Sequence, residues 1–163
     1  MFRKHKTEKK FKVVITQNVS SIFENYKQIK ADSVEACGIL IGKHSEDGRR
    51  ITLDFATPPS LNDRRKKYSF KINSQYHQKV LNQQFYESQN ESVYLGTWHS
   101  HPEPIPSPSR CDINDWKKQY EKNKCLFDKM IFIIVGESAT RYWLINNGEI
   151  SEIKKECIRY ENY

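Results

Sequence analysis

Two histidines two residues apart, a serine eight residues on and an aspartate three beyond it are the side chains in this chain best suited to joint chemistry. They stand in the stretch WHSHPEPIPSPSRCD as His99, His101, Ser109 and Asp112, a pattern H-x-H-x7-S-x2-D. Residues 92–98 (SVYLGTW) are mostly apolar or β-branched and predict a buried strand. Side chains at i and i+2 of a strand share a face, so His99 and His101 can converge on one metal ion. A proline-rich loop (Pro102, Pro104, Pro106, Pro108) then carries the chain away, and Asp112 can bring back a carboxylate as a third ligand. Two imidazoles and one carboxylate leave one coordination position open, which is the donor set of a catalytic zinc site. A His-x-His pair alone is common and carries little. Its combination with Ser109 and Asp112 after a strand-like run carries the metal reading.

Hydrolysis at such a site needs a group that takes a proton from water and passes it to the leaving amine. Glu35 is the candidate. It opens the apolar run EACGILIG at residues 35–42, a poor choice inside a core strand and a natural one at a strand mouth. Gly38 in that run allows backbone or substrate to come close. Taken by itself, Glu35 also reads as a solvated strand-end residue.

The two motifs together, SxEACGILIG and, much later, HSHPxxxxxxSxxD, resemble the JAB/JAMM (MPN-plus) metalloprotease family, over residues 11–153 or so. The resemblance implies a cytidine-deaminase-like fold, a curved mixed sheet flanked by helices. It implies that His99, His101 and Asp112 ligate Zn2+, that Glu35 is the general acid/base, and that Ser109 hydrogen-bonds the oxyanion. The family hydrolyses isopeptide or peptide bonds at the C-termini of ubiquitin or ubiquitin-like proteins. The wording WHSHPEPxPSPSxxD and the stretch TRYWLINNGEI are similar to the stand-alone JAB proteins of bacterial anti-phage CBASS operons, the integrative and conjugative element protein group. That likeness implies a protein substrate with an extended tail, the C-terminus of a cGAS-like nucleotidyltransferase, and an E1–E2-like ligase encoded nearby. Residues 42–92 and those after Asp112 leave little room for the insertions that shape polyubiquitin specialists, so a smaller bacterial tail fits better. A non-catalytic MPN scaffold is the alternative; scaffold relatives usually lose a metal ligand, and here the set is whole.

The elements that must position these residues follow from periodicity. Strands are expected at 11–15, 35–42, 50–56, 92–98, 129–135 and 140–145, with a short one at 67–70. Asp47-Gly48 and Asn147-Gly148 predict hairpin turns. Helices are expected at 19–30, capped by Thr16 or Asn18, at 74–88, with Tyr76, Val80, Leu81 and Phe85 on one face, and from Ser109 as N-cap to about 121. Residues 149–157 alternate and are expected to close the sheet. The class is α/β or α+β, with a mixed sheet and helices on its faces. Strand edges at 50–55 and 67–70 are candidates to receive an extended tail.

The chain of 163 residues is long enough for one domain with a real core, expected over 11–163 after a basic tail at 1–10 (MFRKHKTEKK). No stretch has the length and apolarity of a membrane span or signal peptide, so a cytoplasmic protein is expected. Cys37, Cys111, Cys125 and Cys157 lack CxxC spacing and read as free thiols, Cys37 as a buried structural one. The net charge of +7 favours acidic partners. No helix-turn-helix or aromatic RNA-binding signature accompanies it, which argues against nucleic acid. Ser100 and Trp98 are expected to face away from the metal, His77 to lie on the surface, and Glu103 to be a solvated loop carboxylate.

Overall fold

The computed structural model describes residues 10–161, so the tail expected at 1–10 lies outside the described residues apart from Lys10. The described chain runs β1 (Lys12–Thr16), α1 (Gln17–Asn25), β2 (Cys37–His44), β3 (Arg50–Ala56), β4 (Arg64–Lys66), β5 (Ser69–Lys71), α2 (Ser74–Glu87), β6 (Val93–Ser100), α3 (Arg110–Asn123), β7 (Lys129–Val135), β8 (Thr140–Asn146), β9 (Glu149–Glu152) and, after a 3-10 turn at Lys155–Cys157, β10 (Ile158–Glu161).

Eight strands form one mixed sheet in the order β10-β1-β3-β2-β6-β7-β8-β9, and β4 pairs β5 in a separate hairpin. The ladders β1–β10, β1–β3 and β6–β7 are parallel. Those of β2 with β3 and β6, and of β8 with β7 and β9, are antiparallel. This is the mixed α/β architecture that the sequence predicts. The expected closing strand at 149–157 is different. It stops at Glu152, and after five intervening residues β10 joins the opposite edge of the sheet. So short a connection reaches about 20 Å at most, and the sheet is therefore curled until its edges nearly meet. Tyr142 and Tyr160 hydroxyls bond across that seam at 2.6 Å.

Alternation in β7 explains the layers. Ile131, Ile133 and Val135 point into a core shared with Val19 and Phe23 of α1, Leu40, Leu53, Leu95 and Trp98. Met130, Phe132 and Ile134 point the other way, under Trp116 and Tyr120 of α3. Both faces are covered, as an uninterrupted apolar strand requires.

Four local expectations are corrected. The first helix ends at Asn25, short of residue 30. The chain leaves the helix to bury Gln28, whose amide bonds Lys67 O (3.1 Å) and the Ser100 hydroxyl (2.8 Å), while Ile29 is left exposed. Thr16 occupies the N-cap without capping by its side chain, which donates instead to Asp54 O at 3.2 Å. The strand expected at 67–70 is the turn and second arm of the β4–β5 hairpin. The other candidate edge, β3, is paired on both sides and offers none.

Candidate metal centre

His99 is the penultimate residue of β6, and His101 follows the strand end. Their Nε2 atoms lie 3.0 Å apart. Asp112 comes from the first turn of α3 and places Oδ1 3.3 Å from His99 Nε2 and Oδ2 3.4 Å from His101 Nε2. Donors on a tetrahedral ion with bonds of about 2.0–2.1 Å are separated by about 3.3 Å; each histidine finds a different Asp112 oxygen at that spacing, so the donor set matches zinc in type and scale. Among the described residues, these three are the group of His, Cys, Asp and Glu side chains that could hold an ion.

The motif S-x2-D has a structural cause. Ser109 is the N-cap of α3: its hydroxyl accepts from Asp112 N at 3.1 Å, and Ser109 N donates to Asp112 Oδ2 at 2.6 Å. This reciprocal capping box starts the helix and aims the Asp112 carboxylate at the histidines. The proline loop between them is pinned by more than its stiffness. Glu137 N bonds Glu103 O, Ser138 N and Ala139 N bond Pro104 O, and Arg141 reaches Pro106 O at 2.8 Å while chelating Glu152. Glu103 is exposed, as expected. It also has work within the loop, accepting from Ser107 N at 3.0 Å, with His101 Nδ1 3.7 Å away.

Electrostatics follow from burial and these contacts. Burial lowers the His99 pKa, which keeps its ring neutral and able to ligate. Burial pulls His101 down too, but the Asp112 carboxylate outweighs it and raises the value. Asp112 would be raised by burial; the His101 and His99 rings and the Ser109 bond hold it instead far below the carboxylate range.

Glu35 lies at the mouth of β2, in the same cleft, a space of about 820 Å³ lined also by Phe70, His101, Ser109, Asp112 and Trp116. Its residue is buried, and burial pushes its pKa up to about 7, helped by Asp112 and Glu103 and opposed by His101. Its backbone is held by the hairpin: Glu35 N donates to Lys66 O (2.8 Å) and Arg65 Nε donates to Glu35 O (2.7 Å). The Phe70 ring lies tilted against that of His99, with centroids 4.9 Å apart.

Ser100 faces away, binding Ala36 N and Gln28. Trp98 faces away into the core against Phe23 and donates to Thr57 O at 3.0 Å. The Trp98 indole and Thr57 carbonyl fill the space where a Gly38 side chain would stand. Cys37 is fully buried, and burial pushes its thiol up to about 12, so it is no nucleophile. All four cysteines are free. His77 corrects the expectation: it is 2% exposed, bound to Asp63 and Thr57. The sequence holds a signal for this, since 77 lies on one helical stripe with Val80, Leu81 and Gln84. Asp63, in an irregular loop, has none.

Residues 26–146 match the family model described as prokaryotic homologs of the JAB domain. The chain belongs to that JAB family. Curated relatives of this JAB-family chain are named CD-NTase/cGAS isopeptidase. One from Escherichia coli (strain TW11681) is 30% identical over 146 residues, covering 90% of each chain. One from Vibrio cholerae is 30% identical over 132 residues, covering 81% of this chain and 80% of the relative. One from Pseudomonas aeruginosa is 32% identical over 119 residues, covering 72% of each. Among solved structures, a Desulfitobacterium hafniense protein has the same fold, with TM-score 0.62 and 18% identity over 93% of this chain and 94% of its own. None of the described helices is long and apolar enough to cross a membrane.

Proposed function

We propose that the protein is a zinc-dependent JAMM-type isopeptidase of bacterial anti-phage defence. Its substrate would be the C-terminus of a cGAS-like nucleotidyltransferase, attached to target proteins by an E1–E2-like ligase. The isopeptidase names of the relatives support the substrate class. The observation that carries the chemistry is the cluster of His99, His101 and Asp112, whose donor atoms make contacts of 3.0–3.4 Å, with Glu35 in the same cleft.

His99, His101 and Asp112 would hold Zn2+, which supplies a Lewis acid for the scissile carbonyl and lowers the pKa of the attacking water. Glu35 receives the proton of that water and hands it to the leaving amine. Burial, which raises the pKa of this carboxyl in the metal-free protein, makes it a readier proton acceptor than an exposed glutamate. Ser109 accepts from Asp112 N and keeps its own hydrogen for the developing oxyanion. The outer edge of β5 is unpaired in the two-stranded sheet and lines the cleft, so an extended tail can add there as a strand. Of the two edges expected at 50–55 and 67–70, this reading keeps only the second, as β5.

The test is a fluorescent protein fused to the nucleotidyltransferase C-terminus, through a linear peptide bond and through a lysine isopeptide bond. Wild type should cut both directly after the modifier's last residue, by mass spectrometry, and Glu35→Ala should cut neither. Scattered cleavage, or equal cleavage by Glu35→Ala, would overturn the deconjugase reading. Binding of the fusion without cleavage by the zinc-loaded protein would favour a scaffold.

A further inference from the structure

A buried acid and histidine lie behind the cleft and take no part in the chemistry above. The Asp63 carboxylate accepts from Ser60 N at 2.6 Å, Asn73 N at 2.7 Å and His77 Nε2 at 3.0 Å, with Cys37 Sγ at 3.8 Å. The Asp63 side chain is fully buried and that of His77 nearly so. On the far side of the ring, His77 Nδ1 lies 2.6 Å from Thr57 Oγ1, which already accepts from Ile39 N at 2.8 Å. An ionised carboxylate only accepts, so Nε2 carries the hydrogen of that bond, and the Thr57 hydroxyl has a hydrogen it can give to Nδ1.

The donors to Asp63 come from the two ends of one excursion, residues 60 and 73, and from the helix that begins at Ser74. Between those ends lies the β4–β5 hairpin. The hairpin, in turn, holds both backbone groups of Glu35 and sets Phe70 against His99. One carboxylate therefore closes the loop whose tip fixes the acid/base residue. A buried acid–histidine pair adds little net stability over apolar packing of the same volume; fixing a unique arrangement is its better-attested use.

We propose that Asp63 and His77 form a clasp that positions Glu35 through the hairpin, a role that rests on the isopeptidase reading above. They are positioning residues and touch no substrate. The clasp acts on the rate of the chemical step more than on substrate binding, because it sets where a proton carrier sits.

The test compares zinc-loaded wild type with His77→Ala, His77→Gln and His77→Asn on the tail fusion, at a temperature where circular dichroism shows each folded. Amide hydrogen exchange and zinc content are measured on the same samples. His77→Ala should lose kcat on the order of 10- to 100-fold, the scale of a small misplacement of a catalytic group, with KM little changed and zinc still stoichiometric. Amides of residues 64–71 should exchange faster, while those of β7 do not. His77→Gln should recover most of kcat, since its amide reaches Asp63. His77→Asn, which reaches only toward Thr57, should not. If His77→Ala does not fold, the contrast between Gln and Asn decides. Wild-type kcat with unaltered hairpin exchange in His77→Asn, or a rate loss that follows zinc loss, overturns the clasp. If wild type cleaves no fusion, the isopeptidase reading fails by itself. The exchange data still decide the clasp, which faster hairpin exchange upholds and unchanged exchange overturns.

Discussion

Glu35 is the residue whose environment most directly sets what the site can do. Its pKa of about 7 lies above the ordinary 4.5, chiefly because it is buried. In the metal-free protein, folding therefore binds a proton between pH 4.5 and about 7, and stability falls as the pH rises through that window. Glu35→Gln should accordingly raise the melting temperature of metal-free protein at pH 8 and leave it little changed at pH 4. The reverse order would contradict the burial. With zinc bound, the cation favours the carboxylate, so kcat/KM should rise with pH along an acidic limb centred at or below about 7. Ser109→Ala tests two roles at once. Loss of an oxyanion donor predicts a rate loss of roughly 10²–10³, and loss of the N-cap predicts about 1 kcal/mol in a melting curve. A stability loss without a rate loss would reduce Ser109 to a cap.

At the scale of elements, the strands that bury a face were legible from periodicity alone. β3 and β7 stand where their alternation and apolar runs predict, because no neighbouring demand competes with those patterns. The start of α3 was legible for a different reason, as Ser109 and Asp112 cap the helix with the same atoms that build the site. What failed was decided by tertiary partners. Residues 26–30 have helical spacing, yet Gln28 finds better hydrogen bonds outside a helix. Asp63 looks like an ordinary loop residue until its partners are known, and His77 carries only the weak signal of its place on the inner stripe of α2. The β4–β5 hairpin is only three residues per strand and strongly basic, too short and polar for a periodic signal. The packing of β2 gives a prediction at this scale. A methyl at Gly38 would collide with the Thr57 carbonyl and the Trp98 indole. Gly38→Ala should therefore cost about 1–3 kcal/mol in denaturant unfolding. A cost below a few tenths would mean that the loop after β3 is not seated there.

Across the whole molecule, the curled sheet brings one functional end together from parts far apart in sequence. The mouths of β2 and β6 lie side by side because Cys37 pairs with His99 across the β2–β6 ladder. That register puts a residue near 35 next to one near 101, which the motifs alone could only imply. The curl is completed by β10 crossing to the opposite edge, and by the Tyr142–Tyr160 contact at the seam. Tyr142→Phe should cost about 1 kcal/mol in stability, one hydrogen bond's worth, with cleavage unaffected since neither tyrosine lines the cleft.

In the proposed mechanism His99, His101 and Asp112 form one zinc site, and Glu35 serves it without being a ligand. Elemental analysis of purified protein after zinc loading and removal of free metal tests this most directly. Wild type and Glu35→Gln should each hold one zinc per chain, and His101→Ala and Asp112→Ala should hold almost none. No zinc in the wild type, or equal loss from Glu35→Gln and His101→Ala, would contradict it.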